Sequence, residues 1–538
     1  MAGSNSSGQL KRPQFSIPIG SILGLISGTI IYIMTTFILA SCHPNSQLKS
    51  SWTAIFRDSS VCGPIVFLGV VGSSIAKGVT GLGSGPMVLR AMAADNLIPK
   101  WIGEHSRKFG AVISALFCIC ISFNFVSSLS SMMFLVVFAL LNGSLFMAIY
   151  SKTPSFRPRF KYFNHYISLL FSIICILSML FINLWTALIS IICAVAFYMH
   201  IKNKHLEANW GSLRDASAYN IGLRAALHLK HIHPHPKLYR PNGVIIINES
   251  ISNHINSISF LDQMLKGKGM TMVARIFPEG TSYLEAQNDR KNSLIMDDKN
   301  NFNIFYQTTI APSEIIGIVK TMLLSGIGSL RPNVIFKEFD EELKESSGDL
   351  ISRILYHQWS FVLMRRIDII EDTGIVDLWW LADDGNLALL IAQILSSTGC
   401  RRLRVLSFAR IDQDETVEHN KLVIQGFLHR YRINAEVIVC PISKECPSSP
   451  ESNAIWEESI GNIKEEPNFK QMTHNFMQIS DKIHTYSSSS IISVVSLPIP
   501  PCDIKGDVYM RWLNLLSYGE SPFLFVRGNG TPVISQNI

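Results

Sequence analysis

Residues 16–40 read SIPIGSILGLISGTIIYIMTTFILA, without one charged side chain. A helix needs about 20 mostly apolar residues to cross a bilayer's hydrocarbon core, because every backbone amide and carbonyl there must be satisfied inside the segment. This stretch has that length, and it decides the fold class: the chain enters a membrane. Working outward, further apolar segments follow at 62–92, 111–126, 128–150, 167–184 and 187–199. The second is apolar to residue 76 and continues past Lys77 through a Gly/Ser-rich stretch. A short Ser-rich turn separates the third from the fourth, which carries Asn142 and Gly143, and the last two form a tightly joined pair. The reading is a polytopic α-helical membrane domain of about six helices over residues 1–203, followed by a cytosolic α/β domain over 204–538.

Composition agrees. Of 538 residues, 48% are hydrophobic and only 16% charged, with a mean hydropathy of +0.25, which is too apolar for a soluble enzyme of this length. The net charge of +7 could suggest nucleic acid, but the basic residues sit beside apolar spans, so no nucleic-acid partner is expected and lipid is. Lys11 and Arg12 precede span one. Lys100, Arg107 and Lys108 follow span two, Lys152, Arg157, Arg159 and Lys161 follow span four, and Lys202 and Lys204 follow span six. The opposite loops hold Lys49 and Arg57. Cytoplasmic loops carry the Lys/Arg excess, which places both termini in the cytosol of a plasma membrane or endomembrane. The first residues lack the apolar core and cleavage site of a signal peptide. Ten cysteines form no CxxC pair or zinc spacing; Cys42 and Cys62 border the one sizeable external loop, where a disulfide is chemically allowed.

In the second half, short apolar runs at 243–248, 270–277, 333–336, 376–381, 403–408, 435–440, 492–497 and 522–526 read as strands separated by helices, the pattern of parallel sheets covered on both faces. Stretches around 288–303 and 447–452 read as loops. The candidates for chemistry are Asp383 and Asp384 beside Gly385, and His231, His233 and His235. Adjacent aspartates in a turn serve more often as caps, and Pro234 and Pro236 break the histidine run, so neither a metal, a cofactor nor an enzyme activity is expected.

Several stretches resemble, in one unbroken order, the cation-chloride cotransporters. They are MAGSNSSGQLKRPQFSIPIG at 1–20, GLGSGPMVLRAMAADNLIP at 81–99, SFRPRFKYFN at 155–164, EANWG at 207–211 and GIGSLRPNVIF at 326–336. DLWWLADDGNLALLIAQIL at 377–395, FLHRYRINAEVIV at 427–439, and VVSLPIPPCDIKGDVYMRWLNLL with FLFVRGNG at 494–530 complete the set. Ser4 and the 427–439 stretch resemble the potassium-chloride branch and its plant relatives, whereas WWLxDDG is closer to the sodium-potassium-chloride branch. The resemblance implies part of an inverted-repeat amino acid/polyamine/organocation transporter fold: family helices 7–12 plus the end of helix 6, with the first five helices missing. It implies potassium and chloride symport without ATP, in ion homeostasis and cell volume regulation, and a two-lobed regulatory domain that dimerises. The alternatives are a non-transporting partner subunit of a full-length cotransporter and a relative of the sodium-potassium-chloride cotransporters.

Site residues follow from the same resemblance. Met1, Ala2 and Gly3 match the amino end of a half-helix whose backbone amides attract chloride. Phe138 falls where the family usually places a tyrosine whose hydroxyl helps hold chloride, and phenylalanine offers no donor. Ala76 and Lys77 fall where sodium-coupled relatives place two serines on sodium, so the ammonium of Lys77 would stand in for that ion. Asp95 and Asn96 read as a cap and loop, and Gly81, Gly83 and Gly85 as small residues permitting close helix approach.

Overall fold

The computed structural model describes residues 10–50, 62–120, 122–152, 163–203, 213–230, 235–367, 373–382, 385–410, 416–442, 448–460, 469–501 and 504–534. The chain divides into two compact units, Met1–Leu223 and Arg224–Ile538.

The first unit contains α1 (Pro13–Cys42), α2 (Gly63–Ala94), α3 (Ser106–Cys120), α4 (Phe123–Tyr150), α5 (His165–Ile182) and α6 (Leu184–Asn203). Among the described residues five helices are long and apolar enough to cross a membrane. The third expected span falls on α3, which has 15 residues, about 22 Å at 1.5 Å per residue, short of the hydrocarbon thickness. Its expected end at 126 is corrected: α4 already begins at Phe123 and runs straight through the Ser-rich stretch read as a turn. Serine persists inside such a helix by bonding back to the preceding turn, as Ser131 Oγ does to the Ser127 carbonyl at 2.9 Å. The α5–α6 junction is Asn183, whose Oδ1 accepts from the Trp185 and Thr186 amides at 3.1 and 3.3 Å and starts the new helix. Helix α2 ends with Asp95 at the C-cap and Asn96 in the left-handed region at φ 57°, as expected of a cap and loop.

Helix α7 (Leu213–Leu229) precedes the α/β fold. There follow β1 (Gly243–Ile247), α8 (Ile255–Leu265), β2 (Thr271–Pro278), α9 (Tyr283–Asn300), β3 (Ile304–Ala311), α10 (Glu314–Leu324), β4 (Val334–Glu338), α11 (Glu345–Tyr356) and β5 (Ser360–Arg365). A second series follows: β6 (Thr373–Trp379), α12 (Leu387–Ser397), β7 (Cys400–Arg410), α13 (Val417–Arg430), β8 (Glu436–Ile442), α14 (Pro450–Ile460), α15 (Lys470–Ser487), β9 (Ile492–Ser496), α16 (Gly506–Leu516) and β10 (Phe523–Arg527). All eight expected strands are present. Two more, β3 and β5, were not read from the sequence, and the 288–303 stretch expected as a loop is largely the helix α9.

The ten strands form one sheet in the order β3-β2-β1-β4-β5-β10-β9-β6-β7-β8. Every neighbouring pair is parallel except β5–β10, which is antiparallel. The two halves therefore repeat one five-stranded topology and meet through their last strands. One face of the sheet buries α8 and α12 over β1, β4, β10, β9 and β6; the other buries α10, α11, α15 and α16. Strands sandwiched this way have no solvent face, which is why Gly243–Ile247 and Ser360–Arg365 are buried at every position. The halves are pinned where α11 crosses α16. A Cβ built on Gly348 would lie 2.2 Å from the Gly506 carbonyl oxygen, and one on Gly506 2.3 Å from the Glu345 carbonyl oxygen.

Candidate functional site

In the membrane unit α2 packs against the short helix Lys100–Glu104 and α3, while α4 packs against α5 and α6. The expected ion-site residues fall on these two separate groups. Lys77 is exposed on α2 and makes no ion pair with any described residue. The Ala76 carbonyl accepts Thr80 Oγ1 at 2.8 Å, an ordinary backbone contact within one helix. Phe138 lies on α4 with 39% of its surface exposed, and its carbonyl accepts Asn142 Nδ2 at 2.9 Å. Asn142, the polar side chain one turn from Phe138, thus gives one of its two amide protons to the helix backbone. Met1, Ala2 and Gly3 lie outside the described residues.

Among the described residues, hydroxyl contacts between spans lie on the seam of α4, α5 and α6. Ser172 Oγ donates to the Ala139 carbonyl at 2.8 Å, Ser128 and Thr186 hydroxyls meet at 3.1 Å, and Ser190 Oγ bonds the Thr186 carbonyl at 2.8 Å. Buried Met132, Met179 and Ala187 fill the space beside them. The first two of these contacts join different helices, as hydroxyls do in membrane bundles, while the third lies within α6. No sequence expectation singled out Ser128, Ser172 or Thr186; the signal available was a hydroxyl inside each apolar run.

The glycine expectation is corrected. A Cβ on Gly81, Gly83 or Gly85 would meet nothing within 4 Å, so these residues make no close crossing with any described residue. The tight approach is at Gly103, where a Cβ would lie 2.4 Å from Ala93 Cβ, because it is the neighbouring turn that folds back on α2. Cys42 ends α1 and Cys62 caps α2; both are free, exposed thiols.

In the second unit Asp383, Asp384, His231 and His233 lie outside the described residues. His235 caps a short turn, its Nδ1 accepting from the Lys237 amide at 3.1 Å. Gly385 adopts φ 84° where a Cβ would strike the Thr531 carbonyl, a packing reason for that glycine. Among the described residues no group of three His, Cys, Asp or Glu side chains could hold a metal.

Open α/β sheets present a crevice at the carboxyl ends of the strands where their order reverses. In the first half that crevice lies beside β1, β4 and β5 and encloses about 430 Å³. His254 Nδ1 contacts Glu338 Oε2 at 2.9 Å, and Arg365, 4% exposed, grips Glu341 through Nε at 2.8 Å and a second nitrogen at 2.5 Å. Burial pushes the Glu338 carboxyl up, but hydrogen bonds from His254 and Ser257 outweigh it and hold the group below its ordinary range. Arg365 and Glu341 neutralise one another as a charge-assisted, two-bonded pair.

A family model described as amino acid permease matches residues 1–242, and one described as solute carrier family 12 matches residues 363–537. The rice (Oryza sativa subsp. japonica) protein cation-chloride cotransporter 1 is 24% identical over 610 aligned positions, covering 99% of this chain and 61% of the relative. Mouse (Mus musculus) solute carrier family 12 member 2 is 22% identical over 715, covering 99% of this chain and 59% of the relative. The chain spans about 60% of the length of the curated relatives it matches. A crystal structure of the cytoplasmic domain of a prokaryotic cation chloride cotransporter aligns with 54% of this chain and 97% of its own, at 14% identity and a TM-score of 0.35.

Proposed function

Because this chain belongs to the cation-chloride cotransporter family, we propose that it serves electroneutral chloride-coupled cation symport, with potassium as the cation, as a multi-pass membrane protein with both termini in the cytosol. The observation that supports this best is the extent of the match: it runs through 99% of the chain, membrane half and α/β half alike, to proteins named for that activity. Lys77 supports potassium over sodium, because a fixed ammonium at the position of the sodium-binding serines repels a second cation of similar size. The α/β half acts as a regulatory scaffold through which two copies associate, without enzymatic chemistry.

A second reading rests on Phe138. Without a hydroxyl at that position the chloride site loses a hydrogen-bond donor, and the chain would then act as a non-transporting partner subunit of a longer relative. Chloride-dependent rubidium uptake decides between them. Cells expressing this chain are expected to take up rubidium in chloride medium, with no dependence on sodium. Uptake that stays at background when the chain is expressed alone refutes symport by this chain; uptake altered only on co-expression with a longer relative assigns the partner role.

A further inference from the structure

The repeated topology gives the sheet two equivalent edges, β3 in the first half and β8 in the second. An open edge presents unpaired amides and carbonyls that template the addition of another strand, and stable proteins blunt such edges with proline or charge. Strand β8 is blunted in that way: exposed Glu436 opens it, and Pro441, without an N–H, stands near its end. Strand β3, IFYQTTIA, is eight residues long with neither a charge nor a proline. On the α10 side of this edge Phe305 is 62% exposed. On the other side a groove of about 610 Å³ runs between β3 and α9, lined by Tyr283, Ala286, Gln287, Arg290, Lys291, Thr308 and Ile310.

The groove's charge selects among occupants. Arg290 and Lys291 are exposed and form no ion pair or hydrogen bond with any described residue, and no carboxylate lines the groove. Asp289, their neighbour, is withdrawn: it is held by Arg275 and by the Tyr306 hydroxyl at 2.5 Å. Two copies pairing β3 to β3 about a two-fold axis would set both α9 helices on the same face and bring like charges together, an arrangement that interfaces avoid. An acidic strand meets the opposite condition.

We propose that the β3 edge receives an extended acidic peptide segment, which adds to the sheet as an eleventh strand and lays its carboxylates against Arg290 and Lys291. Backbone hydrogen bonds supply the affinity of such an addition, and alternate side chains supply the selectivity. Side chains that alternate with the carboxylates point to the opposite face of the sheet, where the exposed ring of Phe305 suits apolar ones.

The test uses the full chain in lipid nanodiscs and a fluorescein-labelled nonapeptide of alternating valine and glutamate, read by fluorescence anisotropy. The glutamate peptide is expected to bind at least about tenfold more tightly than its lysine counterpart, and the double variant Arg290→Glu with Lys291→Glu to reverse that preference. Reversal also shows that the variant is folded. N-methylation of the peptide nitrogens along one edge is expected to abolish binding, while methylation along the other edge leaves it intact. Equal binding of the two charge types, equal binding of both methylated peptides, or no binding at all overturns the proposal. So does a symmetric cross-linked dimer formed through Gln287→Cys, which would make a second copy the occupant.

Discussion

Replacing Gly348 by alanine tests the joint between the two halves of the sheet. In α11 this glycine faces Gly506 of α16, and a methyl group there would lie 2.2 Å from the Gly506 carbonyl oxygen, 2.5 Å from its Cα and 2.6 Å from its carbonyl carbon. All three are backbone atoms, so no side chain can rotate away. The helices must separate by about 1 Å to restore an ordinary contact, and α16 carries fully buried Trp512, Tyr509 and Leu513, whose packing moves with it. Overpacking of this kind destabilises by about 1–3 kcal/mol. A clash against three backbone atoms falls in the upper part of that range, about 2–3 kcal/mol; the gain of about 0.8–1 kcal/mol from alanine's better helix propensity offsets part of it, leaving a net loss of about 1–2 kcal/mol. Hydrogen exchange of the full chain, followed by mass spectrometry over Glu345–Tyr356 and Gly506–Leu516, reads this as exchange about 5- to 30-fold faster where opening of this joint limits exchange. The control is Gly426→Ala in α13, where a Cβ meets nothing within 4 Å, so that the same substitution should slow exchange. Unchanged or slower exchange in α11 and α16 on Gly348→Ala would refute the close crossing.

Three further outcomes follow from named contacts. Arg404 grips Asp377, which is completely buried, through two bonds of 2.7 and 2.8 Å; Arg404→Ala strands that carboxylate and should destabilise the α/β half by about 3–5 kcal/mol in denaturant unfolding, whereas a loss below about 1 kcal/mol would mean that water reaches Asp377. Burial pulls the His484 imidazole down to about 4, below its unfolded value of about 6.5, so the unfolded chain binds the extra proton first. The α/β half should therefore keep its full stability above about pH 6.5 and lose roughly 2–3 kcal/mol as the pH falls toward 4; His484→Gln should flatten that part of the profile, and an unaltered profile would assign the loss to other groups. Phe138→Tyr restores a donor on α4 and, if chloride binds there, should lower the half-saturating chloride concentration of rubidium uptake by about tenfold, the size of one hydrogen bond to an anion. No change in chloride dependence would move the anion site elsewhere.

The sequence by itself determined the class of the chain. Apolar runs of bilayer length have few alternatives to a membrane helix, so α1, α2, α4, α5 and α6 were legible from hydropathy alone. Buried strands such as Gly243–Ile247 and Ile492–Ser496 announced themselves as short β-branched runs. The collinear motifs identified the family because they depend on residue order and not on packing. What composition misread was decided by hydrogen bonds: in the Ser127–Ser131 stretch the Ser131 hydroxyl bonds back to the helix and that of Ser128 meets Thr186, and α9 is polar enough to pass for a loop while its buried side holds Asp289 against Arg275 and Tyr306.

Only the tertiary structure decided which surfaces meet. Whether a glycine sits at a crossing depends on which helix folds onto it, so Gly81, Gly83 and Gly85 look like contact residues and meet no described neighbour, while Gly103 lies against Ala93 and Gly348 and Gly506, far apart in sequence, lie against each other. The strand order, with two five-stranded halves joined through β5 and β10, follows from hydrogen bonds between strands that lie about 160 residues apart in the chain. That pairing leaves β3 as an unblunted edge, a property that no stretch of the sequence carries alone, because an edge exists only where no neighbouring strand has docked.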